Sequence, residues 1–291
     1  MRRTRKKYIS RKRRSTRKQK QRGGSLHDVP KIAWAYWDSE TPPKAIQDIK
    51  NSRAAKIPGW ESKYLSNNTI DQYIDKNTYP SGFDKLIAPH KADWIRLALL
   101  EKYGGVWLDA GIIINDVSEM NKIHGILTKE GAEAAVFYLN HHGYKDDMPT
   151  YIDNWFIMAA KQSPIIIKWK EEFERAITMG LEEYKKSILK PHMIYPMFDP
   201  NNIEDVYLMP QAALQNILQN SSDKPRLLLL CPGQNMFKIH SICAGECNDD
   251  PAKEKLCIQD MLLNDPMAKK LPHIKLRSGN RDNLNLGTYF Q

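Results

Sequence analysis

The alternation of apolar and polar positions along the chain predicts short strands and helices in a mixed order. The clearest element is a helix over residues 91–103, in which so few positions are polar that we expect it to be mostly buried. Further helices are predicted over residues 43–51, 67–74, 165–179 and 211–218. Apolar runs predict strands over residues 31–37, 64–66, 106–108, 112–114, 134–139 and 226–230, whereas residues 155–160 fit a strand or the start of a helix. This order favours an α/β layered sheet.

Basic residues are concentrated at the start of the chain. The net charge is +10, but residues 1–22 hold thirteen Lys or Arg and no Asp or Glu. The remainder carries 31 basic and 34 acidic residues, a net charge of −3, and shows no bias toward nucleic acid. We expect residues 1–28 to form a disordered basic tail and residues 29–291 to form one folded domain. The tail either binds a nonspecific anionic partner, such as nucleic acid or a membrane surface, or only keeps the chain soluble.

The sequence offers no membrane-spanning or secretory segment. A run of about 20 apolar residues is absent, and the N-terminus lacks the apolar core of a secretory signal. We therefore expect a cytoplasmic protein that is not secreted, located in the host cytoplasm or the virion if its source is viral. The cysteines, Cys231, Cys243, Cys247 and Cys257, are expected to be reduced thiols, with a zinc site from the last three as the alternative.

Charged residues and glycines coincide around the clearest predicted helix. Asp93 and Arg96 lie three positions apart and share one face of a helix that is otherwise apolar. Gly104 and Gly105 end that helix, and they let the backbone turn tightly and a ligand approach. Asp109 follows the next apolar strand, at the end where open α/β sheets bind ligands. Each feature alone has an ordinary explanation, an ion pair or a turn, but together they suit a ligand site with a hard divalent cation.

The run over residues 90–110, HKADWIRLALLEKYGGVWLDA, resembles the glycosyltransferases of capsular polysaccharide synthesis, within the larger group that has a D-x-D motif. Looser similarities lie at residues 30–37, 154–156 and 272–276. The resemblance implies a GT-A fold, which is a Rossmann-type mixed sheet flanked by helices. In that fold a nucleotide-sugar binds across the carboxyl edge of the sheet.

The resemblance also implies roles for individual residues. Asp93 and Arg96 match positions that bind the sugar or ribose of the donor. Tyr36 or Trp37 matches the aromatic position that stacks on the base. Asp109 matches the first Asp of D-x-D, which binds Mn²⁺ or Mg²⁺.

The second Asp of the D-x-D motif is absent, because position 111 is Gly111. We expect His273, or Asp116, to supply the missing metal ligand. Lys275 or Arg277 is expected to contact the donor's diphosphate as its negative charge grows, and the C-terminal segment to close over the site as a lid.

Asp153 and Asn154 are the candidates for stabilising the positive charge that develops on the transferred sugar; a helix cap or turn is the alternative explanation. The predicted function is metal-dependent transfer of a sugar from a nucleotide-sugar, UDP-linked by resemblance, to a glycan or other hydroxyl acceptor, with retention of configuration. We expect the acceptor to bind over residues 140–207. The alternative, motivated by Gly111, is a catalytically inactive nucleotide-sugar or glycan-binding protein of the same fold.

Overall fold

The computed structural model describes residues 28–139, 151–189, 201–232, 236–247, 250–281 and 283–291. The predicted basic tail, apart from Asp28, and part of the region expected to bind the acceptor lie outside these ranges. No helix within them is both long enough and apolar enough to cross a membrane.

Most strands of the described residues overlap the predicted apolar runs, but β2 begins three residues and β6 four residues before its run. In chain order they are β1 (Ile32–Tyr36), β2 (Glu61–Leu65), β3 (Gly105–Leu108), β4 (Ile112–Ile114), β5 (Ala134–Leu139), β6 (Tyr151–Ala159), β7 (Leu227–Leu230) and β8 (His273–Lys275). The ambiguous run over residues 155–160 belongs to the strand β6. The sequence pattern does not predict β8, because only one of its three residues, Ile274, is apolar.

The helices in the described ranges are α1 (Lys44–Lys56), α2 (Ala88–Tyr103), α3 (Ser118–Glu130), α4 (Pro164–Met179), α5 (Leu181–Ile188), α6 (Met209–Asn220), α7 (Lys238–Cys247), α8 (Pro251–Asn264) and α9 (Pro266–Lys270). The helix predicted over residues 67–74 is wrong, since only Ile70–Gln72 form a single 3-10 turn. There the Ser66 amide donates to the Thr69 hydroxyl at 2.9 Å, and such side-chain bonds to the backbone compete with a helix.

The central sheet brings the ends of several strands to one edge. Its order is β2-β1-β3-β6-β5-β7, in which β1 runs parallel to β2 and β3, and β6 runs antiparallel to β3. The carboxyl ends of β1 and β3 therefore share an edge with the amino end of β6. The Asp109 amide donates to the Trp155 carbonyl at 2.9 Å across this edge. The prediction of a mixed α/β sheet flanked by helices is confirmed, and the GT-A assignment stays a prediction.

Helix α2 is buried along most of its length, as its sequence predicts, because it packs between the sheet and α4. Trp94, Leu97 and Leu99 are at most 1% exposed, and each such side chain contributes about 1.5–3 kcal/mol when it leaves water. Asp93 and Arg96 are carried into the same environment, at 7% and 5% exposure. The two charged side chains therefore reach the sheet edge from a rigid element.

A second, two-stranded sheet joins the C-terminal segment to the middle of the chain. Strand β8 runs antiparallel to β4, so that Ile274 lies opposite Ile113 and Lys275 lies opposite Ile112. Ile274 and Ile113 belong to a hydrophobic core that also contains side chains of α1 and α8. This pairing carries Lys275 to the start of β4, next to Asp109.

A disulfide joins Cys243 of α7 to Cys257 of α8. The expectation that all the cysteines are reduced thiols is therefore wrong, and two of the three sulfurs considered for a zinc site are bonded to each other. The pairing depends on α7 and α8 lying side by side, and the sequence pattern predicts neither helix. Cys231 is exposed, Cys247 is partly buried, and both are free thiols.

Substitution of Gly105 tests the packing at the start of β3. This residue has a φ of +101°, and a Cβ atom there would lie 2.4 Å from the Ile32 carbonyl oxygen. We predict that Gly105→Ala destabilises the fold by about 2–4 kcal/mol, because it adds left-handed strain and overpacking. Gly125 on α3 has open space around it, so Gly125→Ala is the matched control and should stabilise by about 0.5–1 kcal/mol. Urea unfolding measures both, and equal effects would contradict the packing role of Gly105.

Candidate functional site

A cavity of about 630 Å³ opens at the edge of the sheet where β1 and β3 end and β6 begins. Its lining combines side chains from these strands with others from α2, α6 and the C-terminal segment. The predicted site residues that line it are Tyr36, Trp37, Asp93, Arg96, Asp109, Asp153, Asn154 and Lys275. The fold thus gathers in one cavity residues from the first strand to the last.

A buried hydrogen-bond network connects α2 to the start of β6. Arg96 Nη2 lies 2.8 Å from Asp93 Oδ1, and Arg96 Nη1 donates to the Asn154 carbonyl. Asn154 Nδ2 donates to Asp93 Oδ1 at 2.8 Å. Burial raises the pKa of Asp93 above its ordinary value, although Arg96 acts against this shift. The structural ion pair considered from the sequence is present, and the same two side chains line the cavity.

Asp109 is held as a carboxylate by cations on both sides. Its Oδ2 accepts from Lys275 Nζ at 2.6 Å, its Oδ1 accepts from Trp107 Nε1 at 2.9 Å, and Arg96 Nη2 lies 3.5 Å from Oδ1. Burial acts to raise the pKa of Asp109, but Lys275 and Arg96 outweigh it, and the pKa lies below its ordinary value. The group is therefore ionised across the neutral pH range.

Arg53 of α1 anchors the turn that carries Asp109. The side chain is 2% exposed, and its Nη2 donates to the carbonyls of Asp109 and Ile112, each at 3.1 Å. These bonds fix the backbone between β3 and β4. Sequence reasoning missed Arg53, since nothing in its own helix indicates a partner 56 positions away.

Asp153 is buried in a different environment. Its Oδ1 accepts from the Asn154 amide at 2.8 Å and from Gln211 Nε2 at 3.3 Å. Burial raises the pKa of Asp153 above its ordinary value, and these hydrogen bonds offset only part of the shift. The cavity therefore holds two carboxylates, Asp109 and Asp153, whose pKa values move in opposite directions. Such pairs are typical of sites in which two acidic groups have different chemical tasks.

Two buried polar atoms of lining residues have no hydrogen-bond partner within the described ranges. They are Trp155 Nε1, a donor, and Gln211 Oε1, an acceptor. Buried polar groups in proteins are nearly always paired. A ligand hydroxyl group can accept from the first and donate to the second. Sequence reasoning missed Gln211, because it lies on α6 and its partners, Asp153 and Asn154, lie on β6.

Aromatic side chains form much of the cavity wall. The Arg281 guanidinium lies over the Trp37 ring, 5.1 Å from its centroid. Tyr151 and Tyr207 line the cavity as well, and Tyr207 is 59% exposed. These two tyrosines belong to the region expected to bind the acceptor, of which residues 140–150 and 190–200 lie outside the described chain. The exposed ring of Tyr207 offers an apolar face to a planar or sugar-like group.

Gly104 and Gly105 are predicted to admit a ligand, but they do not line the cavity. They lie at the start of β3, whereas Asp109 follows its end. Added Cβ atoms would lie 2.5 Å from the Lys161 amide nitrogen and 2.4 Å from the Ile32 carbonyl oxygen, respectively. The structure therefore gives both glycines a packing role, because neighbouring backbone fills the space beside them.

His273 and Asp116, the candidates for a second metal ligand, do not line the cavity either. His273 lies opposite Ile114, away from the Asp109 turn, and its Nδ1 is 3.1 Å from Glu119 Oε2. Asp116 is exposed and accepts from the Ser118 amide at 2.9 Å. In the described ranges no three His, Cys, Asp or Glu side chains are grouped to hold a metal ion. The metal role of both residues stays a prediction.

Several proteins of similar sequence are named glycosyltransferases. The O-glycosyltransferase braB of Annulohypoxylon truncatum is 27% identical over 212 residues, which cover 66% of this chain and 48% of that protein. The glycosyltransferase afumC of Aspergillus fumigatus is 30% identical over 188 residues, which cover 58% of this chain and 46% of that protein. The chain thus spans about half the length of the relatives it matches.

Similar solved structures include two glycosyltransferases. One is described as a glycosyltransferase involved in the glycosylation of the major capsid of PBCV-1; it aligns over 86% of this chain and 97% of its own, with a TM-score of 0.40 and 12% identity. The other is the PaToxG glycosyltransferase, which aligns over 90% of this chain and 85% of its own, with a TM-score of 0.37 and 14% identity.

One family model matches more than half of the chain. It is that of the capsular polysaccharide synthesis proteins, and it matches residues 1–177 of the 291. The matched part contains the five polar residues of the network at the sheet edge, Asp93, Arg96, Asp109, Asp153 and Asn154, while Lys275 lies beyond it. The chain belongs to the capsular polysaccharide synthesis protein family.

Proposed function

We propose that the protein is a glycosyltransferase, which moves a sugar from a nucleotide-sugar donor to a hydroxyl group of a glycan or another acceptor. The observation that carries the proposal is the cavity at the sheet edge, where Asp109, Arg96 and Lys275 meet. The names of the relatives support the same activity. A UDP-linked donor and retention of configuration are further parts of the proposal.

The hydroxyl groups of the donor match the polar atoms of the cavity floor. Asp93 and Asn154 form one hydrogen-bonded unit there, and Trp155 Nε1 and Gln211 Oε1 are the buried atoms that need partners. Each hydroxyl both donates and accepts. A sugar or ribose can therefore bind without leaving these atoms unpaired, and Trp37 at the end of β1 is the candidate for stacking on the base.

The donor's diphosphate gains negative charge as its bond to the sugar breaks. Lys275 and Arg96 already lie beside Asp109, and Arg277 and Arg281 line the same cavity. Cations that are fixed before the reaction stabilise the growing charge without reorganisation. The cavity is thus best suited to stabilise the negative charge of the departing diphosphate.

A divalent cation fits the cavity if Asp109 and the diphosphate hold it together. The Asp109 carboxylate stays ionised and offers hard oxygen atoms, but the described residues provide no group of three ligands for a preformed centre. Mg²⁺ in proteins commonly uses one or two carboxylates and completes its shell with phosphate oxygens and water. When bound, Mn²⁺ or Mg²⁺ would supply Lewis-acid chemistry at the diphosphate.

Asp153 is our candidate for stabilising the positive charge on the transferred sugar. The Asn154 amide and the Gln211 side chain orient its carboxylate, both through Oδ1. Its environment is dry enough to raise its pKa, and an opposite charge interacts more strongly in such surroundings. We propose that this carboxylate supports the transfer, and NMR of the product would give the configuration.

A donor screen tests the activity directly. We predict that one nucleotide-sugar with Mn²⁺ raises the melting temperature, since a ligand at about 100 times its Kd stabilises the native state by about 2.7 kcal/mol. The same donor should be transferred or hydrolysed, and Asp109→Asn should lower that rate at least about 100-fold. Asp84 is exposed and outside the cavity, so Asp84→Asn is the matched control and should change nothing.

The screen also separates the alternative function. If a donor stabilises the protein but neither transfer nor hydrolysis occurs, the chain is a nucleotide-sugar-binding protein without activity. If no donor stabilises or reacts, the proposed function is wrong. A full rate in Asp109→Asn would remove Asp109 from the reaction.

Asp153→Asn should separate stability from activity. Because the pKa of Asp153 is raised in the folded protein, the folded state holds the proton more tightly than the unfolded chain, and stability falls as the pH rises from the ordinary Asp pKa through the raised one. The neutral amide avoids this cost, so we predict a higher melting temperature at pH 7, by about 2–4 °C for each kcal/mol gained. The gain should vanish below the ordinary Asp pKa of about 3.9.

The same variant should transfer sugar more slowly, because the carboxylate charge is lost. Calorimetric melting at several pH values and initial rates measure the two effects. Lower stability with an unchanged rate would contradict both expectations, and Asp84→Asn again serves as the exposed control.

The basic tail is proposed to bind anionic partners independently of the cavity. We predict that the intact chain binds DNA duplexes or phosphatidylserine vesicles with a steep dependence on salt, and that removal of residues 1–25 abolishes this binding. Sugar transfer by the shortened chain should be unchanged. Equal binding with and without the tail, measured by fluorescence anisotropy or vesicle sedimentation, would show that the tail has no such partner.

A further inference from the structure

The backbone of Lys275 is held from outside its own sheet. Lys275 lies opposite Ile112 in the β4–β8 pair, but its amide donates to the Met236 carbonyl at 3.0 Å. Its carbonyl faces His240 Nε2 at 2.8 Å. The outer edge of β8 is therefore covered, at this one residue, by the segment that begins α7.

His240 is fixed in one orientation by its surroundings. The residue is 3% exposed, its ring lies edge-on to Phe237, and its Nδ1 is 3.4 Å from Glu254 Oε1 on α8. Because a carbonyl oxygen can only accept, Nε2 must carry the hydrogen in the bond to Lys275. Burial lowers the pKa of His240 below its ordinary value, although the hydrogen bonds to the Lys275 carbonyl and the Glu254 carboxylate act against this shift.

A covalent link reinforces the same pair of helices. Cys243 follows His240 by one turn of α7, Cys257 follows Glu254 by one turn of α8, and a disulfide joins the two cysteines. The His240–Glu254 contact and the disulfide thus lie side by side between the helices. Motion of α7 relative to α8 would displace His240 from Lys275.

We infer that His240 is a positioning residue for Lys275, and that the Cys243–Cys257 disulfide keeps it in register. The inference rests on the proposed function, in which the Lys275 ammonium faces the donor's diphosphate. Asp109 holds the Lys275 ammonium, and His240 and Met236 hold its backbone, so a shift of the backbone would change where the flexible side chain can place the ammonium. A shift of about 1 Å in an aligned site can cost about 100-fold in rate.

The first arm of the experiment compares His240 with a matched histidine. His124 Nε2 is 2.8 Å from the Val29 carbonyl and does not line the cavity. We expect His240→Leu to lower kcat about 10- to 100-fold, and His240→Gln, whose amide can donate to the same carbonyl, to recover most of the rate. His124→Leu should lose stability without losing rate. An unchanged kcat in His240→Leu, or an equal loss in His124→Leu, would overturn the inference.

The second arm measures the position of Lys275 without any sugar transfer. Lys275 has 15% side-chain exposure and is paired with Asp109, whereas Lys253 is 72% exposed. Acetic anhydride should label Lys275 slowly, and His240→Leu should speed its labelling several-fold relative to Lys253. Mass spectrometry of the peptides gives the ratio. An unchanged ratio rejects the inference even if no donor is ever transferred, so its failure differs from failure of the proposed function.

The third arm breaks the disulfide. Dithiothreitol reduces Cys243–Cys257 to two thiols and is itself oxidised to a cyclic disulfide. We expect the reduced chain to lose rate and to label faster at Lys275, and reoxidation to restore both. The double variant Cys243→Ser, Cys257→Ser should resemble the reduced chain and should not respond to dithiothreitol. The double variant Cys231→Ser, Cys247→Ser is the control and should respond like the unchanged protein. Full activity after verified reduction would contradict the role of the disulfide.

Discussion

The buried charge of Asp109 is the constraint on which the site depends. A carboxylate that leaves water is tolerated only where cations and hydrogen-bond donors compensate for the loss of hydration. Here Lys275 and Trp107 occupy its two oxygens, and Arg96 lies beside one of them. Since Lys275 comes from the last strand and Arg96 from α2, one charge joins the two sides of the cavity.

Arg96 shows why this arrangement needs an arginine. One guanidinium reaches Asp93, Asp109 and the Asn154 carbonyl at once, and its planar fork of donors can serve several acceptors in fixed directions. A lysine at this position would have a single point charge and no fork. Asp93, Asp109 and the Asn154 carbonyl therefore share one partner, so the effects of substitutions at these residues are expected to be non-additive.

The sequence predicted the parts of the site that have local patterns. The mostly apolar pattern of residues 91–103 predicted helix α2 and the burial of Asp93 and Arg96 with it. The apolar run before Asp109 predicted that this residue follows the end of a strand. The sequence did not predict the contacts of Gln211 and Arg53 with the site, because their partners lie on other elements and produce no pattern in the neighbouring sequence. The disulfide of Cys243 and the position of β8 were missed for a related reason: they follow from how short C-terminal elements pack, which no periodicity encodes.

The backbone that follows β8 explains why a glycine, and not a second Asp, occupies position 111. A Cβ there would lie 3.0 Å from the Leu276 carbonyl oxygen, and the Leu276 amide donates to the Gly111 carbonyl at 2.9 Å. The backbone after β8 thus occupies the space where the side chain of a second Asp would begin, and the same strand places Lys275 on Asp109. The absence of a carboxylate at Gly111 and the presence of the Lys275 ammonium both make the surroundings of Asp109 more positive. A cavity of that charge attracts a diphosphate by itself, so a divalent cation would need the phosphate oxygens as ligands in order to bind beside Lys275.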